Sequence, residues 1–82
     1  MTVVCINDSN LPEGAVLNKW EEYEVEREYL NALDQRVYIL KNHINEGTTK
    51  LGMKWIGYNA NRFRKPEDIY AEEEKEVNYI LN

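Results

Sequence analysis

Chemistry in an 82-residue chain with one histidine and one cysteine has few places to start. A nucleophile–base dyad needs His43 beside Cys5 or a serine such as Ser9. Cys5 sits in the apolar run Val3-Val4-Cys5-Ile6 and reads as a small core residue. His43 sits in a polar loop, and Ser9 has no base near it in sequence. No catalytic residue is expected. Glu22, Glu24, Glu26 and Glu28 alternate along one segment. On a strand, alternate carboxylates lie about 7 Å apart, too far for neighbours to converge on one ion at about 2.6 Å. They read as a solvated face, and no metal or cofactor is expected.

Two other groups of residues suit binding. Residues 54–65 carry Lys54, Arg62, Arg64 and Lys65 among Trp55, Tyr58 and Phe63, with no acid. Stacking aromatics in a basic groove are what single-stranded nucleic acid requires. On this reading Lys54, Tyr58, Arg62, Arg64 and Lys65 contact nucleic acid, with Tyr58 stacking. The simpler reading makes Trp55 and Phe63 core and the cations ordinary surface. The second group is Trp20, Tyr58, Tyr70, Val77 and Leu81, apolar candidates for contact with another protein. A third reading inverts the first: clustered acids on the strand and tail imitate DNA phosphates, provided that they form one continuous ridge.

Charge divides the chain into three blocks. Residues 1–49 hold nine acids against four bases, residues 50–65 five bases and no acid, and residues 66–82 six acids against Lys75. With a net charge of −5 and a pI near 4.8, the whole chain repels phosphate at long range. That weighs against nucleic acid. A lone cysteine excludes an internal disulfide. Without a signal-like leader or an apolar run of about 18 residues, the expected setting is the cytoplasm, with no membrane contact. The length allows one domain with a small core.

The elements that must position these residues follow from pattern. Residues 2–6 suit a buried strand, and 7–14 a loop rich in Asn, Asp, Pro and Gly. Residues 21–29 alternate Glu with Tyr23, Val25, Arg27 and Tyr29, as a half-buried strand does. Residues 31–35 suit a hairpin turn, 36–41 a strand, 42–52 a loop, and 54–58 a strand with Gly57 as a bulge or close approach. A helical reading of 16–44 competes, since Leu17, Trp20, Tyr23, Leu30, Val37 and Ile44 recur near heptad spacing. Pro66 suits the first turn of a helix, with Glu67 and Asp68 at its positive end. Tyr70, Val77 and Leu81 share one face of a helix over 66–81.

Several segments carry a family pattern: Val4-Cys5-Ile6-Asn7-Asp8, Leu11-Pro12-Glu13-Gly14-Ala15, Glu22-Tyr23-Glu24-Val25, Arg36-Val37-Tyr38-Ile39-Leu40, Gly47-Thr48-Thr49, and Trp55-Ile56-Gly57-Tyr58-Asn59-Ala60 with Arg62-Phe63. On these residues, 1–65 resembles a family of small uncharacterised proteins from bacteria, phages and mobile elements that look like SH3-like β-barrels. The resemblance implies strands over 21–41 and a short helical turn over 60–63. It also implies a mainly β fold, a five-stranded SH3-like barrel over 1–65. The acidic tail over 66–82, less typical of the family, is expected from its own pattern to add a C-terminal α-helix to the same domain. The family pattern has a Lys-Gly turn where this chain has Asn18-Lys19-Trp20, so Trp20 stands where glycine supplies a positive φ.

The leading expectation is a non-enzymatic protein-interaction module, an accessory factor of a phage or mobile element. Its expected partner is another protein, and it is itself a monomer or weak homodimer. Nucleic-acid binding and DNA mimicry are the alternatives.

Overall fold

A computed structural model describes residues 1–70. Within them the fold is mainly β. The strands are β1 (Thr2–Cys5), β2 (Glu22–Leu30), β3 (Arg36–Leu40), β4 (Glu46–Thr48), β5 (Lys54–Ile56), β6 (Tyr58–Asn59) and β7 (Phe63–Arg64), with a 3-10 turn over Ala60–Arg62. Five strands form one antiparallel sheet in the order β6-β3-β2-β1-β7, and β4 pairs with β5 as a separate two-stranded ribbon. The expected five-stranded barrel is thus an antiparallel sheet whose two edges, β6 and β7, are joined by the 3-10 turn.

Each element has a local cause. β1 is three consecutive small or branched apolar residues, Val3, Val4 and Cys5, all buried. β2 alternates exposed Glu22 and Glu24 with half-buried Tyr23 and Val25. Its first half pairs with β1 and its second half with β3, and the register shifts between Val25 and Arg27. Such a bulge adds one unpaired residue and bends the strand, which lets β2 serve two neighbours. In the β2–β3 turn the Asn31 side-chain carbonyl accepts from the Leu33 and Gln35 amides at 2.9 and 3.0 Å. Asp34 takes the left-handed conformation there, one that Asp tolerates better than most residues.

The ribbon departs from expectation. Residues 42–52 read as loop, yet Glu46-Gly47-Thr48 is a strand. It has no apolar alternation of its own and is ordered by pairing with Lys54–Ile56. The expected strand over 54–58 is broken at Gly57, which has φ 68° and lies so close to Val37 that any β-carbon would collide with it. The heptad reading fails because Tyr23 and Val37 lie in paired strands. At the C-terminus one helical turn begins at Pro66 and runs to Tyr70. The rest of the expected helix, with Val77 and Leu81, lies outside the described residues.

The core is Val3, Cys5, Leu17, Leu40, Tyr58 and Phe63, with Leu11, Ala15, Tyr23, Val25, Tyr38 and Trp55 packed against it. Aromatic edges meet within it: Tyr58 lies 5.7 Å from both Trp55 and His43, and His43 lies 5.2 Å from Tyr23.

Candidate functional site

Trp20 is the residue whose placement is hardest to explain by folding alone. It closes the turn into β2. Its amide donates to the Cys5 carbonyl at 2.7 Å, while the Cys5 amide donates to Glu21 at 3.0 Å. Those two bonds hold position 20 against the end of β1. The backbone there has φ 75°, a region where a bulky side chain is a genuine outlier. A left-handed L-residue costs about 1–2 kcal/mol. The side chain gains little from the fold in return, since Trp20 remains 63% exposed. Among the described residues its ring is met by the Lys19 ammonium, 5.2 Å from the ring centroid. Lys19 is in turn held through its amide, which donates to Asp8 at 3.2 Å. The result is an exposed indole on a firmly hydrogen-bonded turn.

Tyr58 has a different place from either expectation. It is 3% exposed. Its hydroxyl donates to the Ile44 carbonyl at 2.6 Å and accepts from the Val16 amide at 3.2 Å. Tyr58 is therefore a core strut, and it offers no surface to a protein partner or to a base. Burial raises its hydroxyl pKa above the ordinary tyrosine value.

The basic stretch is divided. Lys54 is exposed on the ribbon, opposite Thr48. Arg62 is half-buried, and its guanidinium donates to the Asn7 and Ser9 carbonyls at 3.2 and 2.7 Å. It ties the 3-10 turn to the loop after β1 and is engaged there rather than held ready for phosphate. Arg64, opposite Val4 on β7, and Lys65 are exposed at the end of the five-stranded sheet. Lys54 thus belongs to one sheet and Arg64 to another.

The glutamates do not form one row. Cross-strand partners share a face, so Glu22 and Glu24 lie with Val4 and Thr2. Past the bulge, Glu28 pairs with Tyr38, on the same face as the Val25–Leu40 pair and opposite to Glu24. Glu24 accepts from the Met1 ammonium at 2.9 Å and the Thr2 hydroxyl at 2.7 Å, which lowers its pKa. Glu28 meets Arg36 at 3.4 Å.

The groups considered for catalysis have structural contacts. Cys5 is fully buried, and burial raises its thiol pKa. His43 is half-buried against Tyr23 and Tyr58, with Nε2 on the Val16 carbonyl, rather than free in a loop. A carbonyl only accepts, so Nε2 carries the proton. The Ser9 hydroxyl donates to Asn7 at 2.6 Å. Among the described residues no three of His, Cys, Asp and Glu converge as a metal site would need. No described helix is long and apolar enough to cross a membrane.

Two features escaped sequence reasoning. Asn45 bridges β3 to the ribbon: its side chain accepts from the Leu40 amide at 2.8 Å and donates to the Leu40 carbonyl at 2.7 Å. Exposed apolar residues gather on the ribbon and its flanks, with Ile44, Leu51, Met53 and Ile56 all more than half exposed. Leu51 and Met53 flank Gly52 in a turn that the sequence presents only as loop. Tyr70, the last described residue, is exposed in the helical turn that begins at Pro66. Comparison with family models, curated proteins and solved structures gave no match.

Proposed function

We propose that this chain is a non-enzymatic protein-interaction module that docks another protein on Trp20. The observation that carries the reading is an exposed indole held in a left-handed conformation. Glycine would occupy that position without strain. Strained backbone concentrates at functional sites, and tryptophan is enriched among the residues that dominate binding energy. The proposal takes residues 1–65 as an SH3-like barrel. Two features support it: the sheet order β6-β3-β2-β1-β7, and the 3-10 turn joining the two edges. It places the module in the cytoplasm of a bacterial or phage-infected cell, consistent with a single unpaired cysteine.

The nucleic-acid reading is less well supported, because Tyr58 is core and Arg62 is bonded to Asn7 and Ser9. The mimicry reading lacks its ridge on β2, where Glu24 and Glu28 occupy opposite faces.

Affinity capture from bacterial lysate, with native protein and Trp20→Gly side by side and each with and without nuclease, tests the proposal. Native protein is expected to retain a protein through nuclease treatment, and Trp20→Gly, folded by circular dichroism, to release it. Equal capture by the variant, or capture lost with nuclease, counts against it.

A further inference from the structure

Among the described residues, the β4–β5 ribbon has one edge in use and one that, at Glu46 and Thr48, is not. The phase of its ladder follows from two bonds. Gly57 donates to Asn45, and Thr49 donates to Met53 at 2.8 Å. Hydrogen-bonded pairs alternate with non-bonded ones in an antiparallel ladder. Gly47–Trp55 is therefore a bonded pair, whereas Glu46–Ile56 and Thr48–Lys54 direct their amides and carbonyls outward. On the β5 edge, the Ile56 carbonyl accepts from the Tyr29 hydroxyl at 3.5 Å. On the β4 edge, the outward groups of Glu46 and Thr48 have no backbone partner among the described residues. Such an edge is a template for another strand.

We infer that this edge pairs with the same edge of a second copy of the chain, antiparallel about a two-fold axis at Gly47. That register sets Gly47 against Gly47 of the second copy, where the absence of a β-carbon allows the close approach of a non-bonded pair. Glu46 then lies opposite Thr48 of the second copy, and Thr48 opposite its Glu46. The four outward amides and carbonyls of Glu46 and Thr48 on each copy are all used. A carboxylate also faces a hydroxyl twice. The tip of each ribbon, with Leu51 and Met53 89% and 67% exposed, comes beside the base of the other, where Ile44 is 53% exposed. The outer face carries an open groove of about 400 Å³ lined by Glu46, Gly47, Thr48, Lys54, Trp55 and Ile56, which the pairing would extend across both copies. An isologous contact of this kind closes on itself as a dimer. It is small, so the association is weak. It does not depend on Trp20.

Sedimentation equilibrium of the full chain over a wide concentration range is the test. The expected result is a mass rising from 9.7 kDa toward twice that value. Thr48→Lys sets a lysine against Glu46 twice and is expected to tighten the dimer about tenfold, whereas Thr48→Glu weakens it by about the same factor. Within one ribbon the same changes act oppositely, because position 48 faces Lys54. An effect on folding therefore gives the reverse order. A monomer at every concentration overturns the inference. So does a dimer insensitive to both variants, one moved in the same direction by both, or one abolished by Trp20→Gly.

Discussion

The Trp55 indole lies across the backbone of Gly47, so that a β-carbon at position 47 would stand 2.6 Å from Nε1. The same Nε1 donates to the Glu13 carbonyl at 2.9 Å. One ring thereby ties β5, β4 and the loop after β1 together. Gly47→Ala is expected to displace the indole and break that bond, at a cost of about 1–3 kcal/mol for overpacking. Urea unfolding measures the loss, and tryptophan fluorescence reports the displaced ring.

Position 20 offers a direct measure of backbone strain. Trp20→Ala keeps a side chain in the left-handed region, whereas Trp20→Gly does not. The glycine variant is expected to be more stable than the alanine variant by about 1 kcal/mol. Paired denaturation curves give the difference, and equal stability of the two would remove strain from the account of Trp20.

Tyr58 and Tyr23 both have their hydroxyl pKa values raised by burial. Above the ordinary tyrosine value of about 10, the unfolded chain releases protons that the folded chain retains. The folded state then binds more protons, and stability falls as pH rises. The contribution is fully present below that value and is lost as pH passes through the raised ones. Cys5, also raised by burial, starts the decline lower, from its ordinary value of 9.0. Urea midpoints across the alkaline range should fall, and Tyr58→Phe should make the fall shallower. At neutral pH the same variant should lose about 1–3 kcal/mol, because the Val16 amide and Ile44 carbonyl lose their partner.

Asn45 both donates to and accepts from Leu40. Asn45→Asp retains the acceptor and loses the donor, leaving the Leu40 carbonyl unpaired beside a carboxylate. A loss of about 1–3 kcal/mol is expected. Since Asn45 links β3 to the ribbon, amide exchange at Gly57, which donates to the Asn45 carbonyl, should accelerate with it.

The amino-acid sequence by itself determined the segments that have a local cause. An apolar run marked β1, whereas the alternation of β2 and the apolar run of β3 competed with a helical reading of 16–44 that only the family resemblance set aside, and residues 31–35 suited the hairpin turn. Gly57 was legible as a bulge or a close approach, and the structure shows the close approach, where a β-carbon would meet Val37. The roles of the candidate site residues were less legible. Tyr58 and Trp20 are both aromatic residues next to turns, yet one is buried and the other exposed. What separates them is that the Val16 amide and the Ile44 carbonyl, from two different loops, close on the Tyr58 hydroxyl, whereas Trp20 stays exposed. The single bulge after Val25 sent Glu28 to the opposite face from Glu24, although their spacing is regular. Arg62 became a strut because the carbonyls of Asn7 and Ser9, more than fifty residues away, came within reach. Periodicity reports which face of its own element a residue takes. What comes to lie against that face depends on contacts between distant segments, and only the tertiary structure decided those.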